Sequence, residues 1–301
     1  MSPLPSPCVG VCKYDELTDL CLGCNRSKEE ITDWKTLTDC QQRAIYEDLP
    51  NRRETCGFGF AVLPWSTEEA TNFAIKCLND HRCSWSVGAN GALAEFSYDA
   101  HENVKLSQMD DGASLSTDRG AISFNLSSPF KPLALTNGDG RISEIIFGAY
   151  RTKYDRPTPT CITEIGKDES AVRDSDKSAE LFDLAIGYPH TSFLVRCSDE
   201  RALETIRPYS GAQFSGNQEL SSKLKALSPH RVVTSPLARV EVYEPIPSQS
   251  ETTPLGPHSH LKHKLIESEA MHDYGDLFPP DYRIGLTLHL GQSNLAQDIP
   301  L

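Results

Sequence analysis

Four cysteines fall between Ser6 and Cys24, in SPCVGVCKYDELTDLCLGC, before any segment apolar enough to build a core. Cys8, Cys12, Cys21 and Cys24 follow the spacing C-x3-C-x8-C-x2-C. Thiolates are soft ligands that suit zinc and iron–sulfur clusters. A stretch of about 55 residues buries little apolar surface, and modules of that size commonly need a metal or disulfide staple. Cys8/Cys12 and Cys21/Cys24 are each spaced as a two-ligand knuckle. Gly23 permits the tight turn of the second, and Pro7 and Gly10 keep the first out of regular helix. The competing reading is a set of unrelated thiols. A redox role for the CxxC would need a strand–helix context that is not evident.

The compartment bears on this choice. MSPLPSPCVG has neither a basic nor an apolar leader region, and no run approaches the length of a membrane span. A cytoplasmic, reducing location is therefore expected, where clustered cysteines are metal ligands more often than disulfides. The net charge of −13 disfavours broad nucleic-acid binding, because an acidic chain repels phosphate. A protein partner remains compatible with it.

Two helix starts follow the cysteines. Ser27 with Glu30, and Thr38 with Gln41, have capping-box spacing. Ile31 and Trp34 are expected inward from the first helix, and Ala44, Ile45 and Leu49 from the second, which Pro50 should stop. Zinc is favoured as the ion, with an iron–sulfur cluster as the alternative. The segment matches a known pattern at Ser6, Pro7, the four cysteines, Leu20, Gly23, Arg26, Glu30, Ile31, Trp34, Leu49 and Arg52. It resembles the short bacterial modules of domain of unknown function 1289. That resemblance implies a metal site and a bacterial origin, not a reaction.

The remainder reads as a larger domain. Ser66 with Glu69 opens another capping box, with Ala70, Phe73, Ala74, Cys77 and Leu78 at helical spacing. CSWSVGANGALAEFSYD reads as a β-hairpin, and GAISFNL, SEIIFGAY, TPTCITEIG and TSFLVRCSD as strands. DSDKSAELFDLAIG reads as a helix capped at Asp174 or Ser175 and closed by Gly187. DERALETIRPYSG reads as another helix, and SPHRVVTSPLARVEVYEPIP as two strands around a turn. Two stretches, TNFAIKCLNDHRCSWSV and ELFDLAIGYPHTSFLVR, have the look of a repeated helix–turn–strand unit, which chance also produces. The expected class is α+β. A small metal-stapled module occupies 1–57 and a linker 58–66. A mostly antiparallel α+β domain covers 67–292, and a frayed tail 293–301.

Five histidines lie late in the chain: His258, His260, His263, His272 and His289. GPHSHLKHKL sets His258 and His260 on one side of an extended stretch, or His260 and His263 on one helix face. His258, His260, His263 and His272 are thus candidate ligands, with a nearby Glu as base. A solvated histidine-rich loop explains them equally, and Lys262 and Lys264 would repel a cation. The stretch from Trp85 to His289 resembles an uncharacterised bacterial family, through Trp85–Phe96, Ser228–Val232, Arg239–Pro247 and Gly256–His260. No function is implied by it.

Three functions fit these residues. The first is a zinc-stapled binding or regulatory protein. The second is a metal-dependent, hydrolase-like enzyme using the histidines. The third is an iron–sulfur electron-transfer protein.

Overall fold

Strands are the commonest regular element of the chain, and alternation of apolar and polar residues marks many of them. The computed structural model describes residues 6–8, 14, 18–21, 24–56, 59–89, 92–136, 142–154, 157, 159–187, 190–246, 258–259, 278–291 and 293–299. In chain order it begins with helices α1 (Lys28–Thr32) and α2 (Asp39–Cys56), strand β1 (Gly59–Val62) and helix α3 (Thr67–Leu78). Strands β2 (Ser84–Ala89), β3 (Ala92–Phe96), β4 (Lys105–Met109), β5 (Gly112–Ser116), β6 (Gly120–Asn125), β7 (Phe130–Thr136) and β8 (Ile142–Tyr150) follow. Next come the short α4 (Arg151–Tyr154), β9 (Thr163–Lys167), β10 (Glu180–Asp183), β11 (Ser192–Cys197), α5 (Glu200–Ile206) and α6 (Gln218–Leu227). The described chain closes with β12 (His230–Thr234), β13 (Ala238–Val242), β14 (His258–Ser259) and β15 (Tyr282–His289).

Among the described residues these strands form two antiparallel sheets, so the protein is mixed α+β. One has the order β1-β7-β8-β15-β2-β3-β14, the other β4-β5-β6-β13-β12-β11-β10-β9. The sheets face each other across one core. Trp85 of β2 stacks on Phe124 of β6, with ring centroids 5.7 Å apart. Helix α3 adds Ala70, Phe73, Ala74, Cys77 and Leu78 to this core, and α5 and α6 add Ala202, Ile206, Leu220 and Leu224. The capping boxes form as expected: Ser27 and Ser66 each accept from the amide three residues on, and Glu30 and Glu69 answer. No helix among the described residues is long and apolar enough to cross a membrane.

Several expectations are corrected. Residues 174–187 are not a helix. Asp174–Asp176 make one 3-10 turn, and Glu180–Asp183 pair with both β9 and β11. Phe182 joins the intersheet core while Leu181 packs outward on Leu194 and Val232. A strand buried on both faces carries an unbroken apolar run, which local pattern cannot separate from a helix. With that helix gone, the apparent helix–turn–strand repeat disappears.

Helix α2 passes through Pro50 to Cys56. Proline removes one helical bond, but the turn is tied elsewhere: Arg52 binds Asp48 at 2.7 Å and Glu30 of α1 at 2.6 Å. Ala44 is exposed and Tyr46 takes the inward place. Part of the expected linker is β1, paired with β7. Nor does the tail fray over 293–299. Asn294–Asp298 form a 3-10 turn, Ser293 donates to Asp80 at 2.7 Å, and Ile299 is buried in the core.

Candidate functional site

The N-terminal module has a core of Trp34, Tyr46 and Leu49, flanked by Leu37 and Ile45. So few apolar side chains give a small hydrophobic contribution. Beside this core the chain doubles back from Cys21 to Arg26. The Cys21 amide donates to the Arg26 carbonyl at 2.9 Å, and the Asn25 amide donates to the Cys21 carbonyl at 2.6 Å. Asn25 sits at φ 57°, in the left-handed region that Asn tolerates.

Cys21 and Cys24 are buried by this turn, and their thiols are hydrogen-bonded to each other. That bond and then burial push the Cys24 thiol far above its ordinary range, while Arg26 opposes them. Arg26 donates from Nε to Cys24 Sγ at 3.5 Å, and its guanidinium lies 4.7 Å from the Trp34 ring centroid. Arg26 is itself buried, with Nη2 donating to Ser6 Oγ at 3.3 Å.

Cys8 is tied to the larger domain, since its carbonyl accepts from Lys131 Nζ at 2.6 Å. Burial lowers the pKa of Lys131. The structure therefore brings Cys21 and Cys24 together. Cys12 lies outside the described residues. Among the described residues, no group of three or more His, Cys, Asp or Glu side chains is placed to hold an ion. Cys40 is exposed.

Of the histidine candidates, His260, His263 and His272 lie outside the described residues. His258 is placed by its backbone alone, opposite Glu95 of β3. The fifth late histidine, His289, has a defined setting at the end of β15. Its Nε2 is 2.9 Å from Ser86 Oγ, and its Nδ1 is 3.1 Å from Glu144 Oε1. These side chains share one face of three adjacent strands, β2, β15 and β8. Trp85, Val87, Leu288, Ile145 and Phe147 point the other way, into the core. Glu144 is the register partner of His289, and Thr287 that of Ser86. The sequence alone marked His289 but neither partner.

The outer face of the eight-stranded sheet holds a second polar cluster. Arg196 of β11 reaches Asp168, Asp176 and Glu241 at 2.6, 2.8 and 2.6 Å. Arg239 bonds Glu241 at 2.7 Å and also pairs with Asp168. Arg173 lies 3.8 Å over the Tyr243 ring, whose hydroxyl donates to Glu241 at 3.0 Å. An open groove of about 550 Å³ beside this cluster is lined by Lys105, Ser107, Ser114, Ser116 and Arg173. His230 rests on Tyr243, with ring centroids 4.8 Å apart, and burial, then Arg196, lower its pKa.

The family comparisons follow the same division of the chain. A model described as a family of unknown function (DUF6925) matches residues 70–291, from α3 to just past β15, and the chain belongs to that family. A second model, described as a protein of unknown function (DUF1289), matches residues 6–53, which hold the four-cysteine pattern and most of α2. No curated protein and no solved structure matches the chain.

Proposed function

We propose that this is a metal-binding protein whose N-terminal module is stapled by zinc through Cys8, Cys12, Cys21 and Cys24, and which acts in binding or regulation. The observation that carries this reading is the buried Cys21–Cys24 thiol pair with a guanidinium on its sulfur. Four thiolates around one zinc have a net charge of −2. Arg26 beside Cys24, and Lys131 on the Cys8 carbonyl, are two cations that oppose it. Hydrogen bonds to ligating sulfur also orient the ligands. The ion supplies crosslinks that three buried core side chains do not. Coordination displaces the thiol protons, so loading weakens as pH falls.

The test is anaerobic purification without a histidine tag, followed by metal analysis and a visible spectrum. One zinc per chain, colourless and lost in Cys21→Ser, is the expected result. Brown protein with iron and labile sulfide would replace zinc by an iron–sulfur cluster and regulation by electron transfer. A second ion that survives Cys21→Ser but is lost in His260→Ala would favour the metal-dependent enzyme. Protein free of metal, with all four thiols reactive, would overturn the reading.

A further inference from the structure

We propose that Ser86, His289 and Glu144 form a nucleophile, a general base and a positioning carboxylate that together hydrolyse a neutral or cationic ester. The three come from separate strands, with His289 lying 203 positions after Ser86 and 145 after Glu144, yet they meet in the order hydroxyl, imidazole, carboxylate. With a neutral imidazole, that order gives the direction of the proton. A carboxylate only accepts, so Glu144 takes its hydrogen bond from Nδ1–H. Nε2 is then the acceptor, and the Ser86 hydroxyl donates to it. A serine whose proton already points at a carboxylate-backed imidazole is set up as an oxygen nucleophile.

The surroundings fit this assignment. His289 closes β15, and beyond it the Leu290 amide still bonds the Ser143 carbonyl of β8 at 3.0 Å. The side chains of His289 and Glu144 retain 18% and 12% exposure while Ser86 is 2% exposed, so an ester must reach the hydroxyl past the ring. Thr287, across from Ser86 on the same face, supplies a hydroxyl on one side of the nucleophile. Glu95, the partner of Ser86 on β3, supplies a carboxyl on the other. Glu95 and Glu144 disfavour a second negative charge, which excludes phosphate monoesters and carboxylate-bearing esters as substrates.

The chemistry balances without a further reagent. Ser86 Oγ attacks the ester carbonyl carbon as its proton passes to His289 Nε2. The carbon–oxygen bond to the alcohol breaks, and the alcohol leaves with that proton, giving acyl-Ser86. Water then attacks the acyl carbon and gives a proton to Nε2. Collapse releases the carboxylic acid and returns the proton to Ser86. Glu144 remains ionised and stabilises the imidazolium formed in each half-reaction.

The full-length protein is treated with diisopropyl fluorophosphate, a small uncharged serine reagent, and the adduct is mapped by peptide mass spectrometry. In parallel, hydrolysis of p-nitrophenyl acetate is compared with that of p-nitrophenyl phosphate. The expected results are an adduct on Ser86 and turnover of the acetate alone. Folded His289→Gln should lose at least about a hundredfold in acylation rate. Glu144→Gln should lower the labelling rate with reagent affinity unchanged, and Glu144→Asp should restore part of it. An unmodified Ser86 in folded wild-type protein would overturn the proposal. So would labelling that is equally fast in the folded His289 variant. If a variant does not fold, wild-type labelling decides alone.

Discussion

The Arg196 guanidinium lies 2.6 Å from the Glu241 carboxylate, and neither side chain has any exposed surface. Burial alone would raise the Glu241 carboxyl, but Arg239 and Arg196 hold it below its ordinary value. Asp168 and Asp176 complete the cluster, so two arginines face three carboxylates. The Val172 amide also donates to Glu241 at 3.0 Å. The cluster thereby pins the segment after β9 onto the outer face of the sheet.

Arg196→Met should therefore take the arginine from Asp176 and leave Asp168 and Glu241 to share Arg239 alone. Breaking a buried pair from one side costs about 3–5 kcal/mol. The measurement is urea denaturation of the full chain. Arg207→Met is the control, because Arg207 pairs with Glu164 at 3.0 Å with both side chains well exposed. An exposed pair is worth about 0–1 kcal/mol. Equal losses in the two variants would show that the buried cluster adds nothing specific.

Acid should loosen the N-terminal module through Glu30. Arg52 grips its carboxylate at 2.6 and 2.9 Å and holds its pKa below the usual 4.5. A lowered carboxylate pKa means that the folded state binds fewer protons than the unfolded one. The contribution is thus complete above about pH 4.5 and is lost as pH falls through the lowered value. Fluorine-labelled Trp34, followed by NMR during an acid titration, reports on the module. Glu30→Gln should flatten the response below about pH 4.5. An unchanged titration would assign it to other carboxylates.

Gly285 should not tolerate alanine. A Cβ there would sit 2.6 Å from Leu237 Cδ1, in the turn between β12 and β13, and 2.9 Å from the Phe147 carbonyl oxygen. Leu237 can turn aside, but the Phe147 backbone cannot. Overpacking of this kind costs about 1–3 kcal/mol. Gly285→Ala should lower thermal stability accordingly, and adding Leu237→Ala should not restore it. Full recovery in the double variant would place the whole conflict on the leucine.

Local chemistry was readable from the chain. The boxes at Ser27 and Ser66 each close within four residues, as does the pairing of Thr38 with Gln41. The β2–β3 hairpin likewise depends on neighbours in sequence. The cysteine spacing was readable for the same reason, and its match to the four-cysteine family is specific. Residues 174–187 mark the boundary of this legibility. Leu181 and Phe182 are adjacent apolar residues, and what makes them a strand is pairing with β9 and β11. The late histidines divide between described and undescribed residues. His260 and His263 lie outside the described residues, while His289, isolated in sequence, has hydroxyl and carboxylate partners that strand pairing alone brings to it.

The amino-acid sequence by itself determined the thiol spacing, the helix caps, the hairpin and the division into a small cysteine module and a larger antiparallel domain. Each of these rests on interactions between residues a few positions apart. Only the tertiary structure decided that the strands form two facing sheets, that β1 joins one of them, and that Ser86, Glu144 and His289 meet. Those outcomes depend on strand order, and the order is set by which apolar faces bury one another across the whole chain.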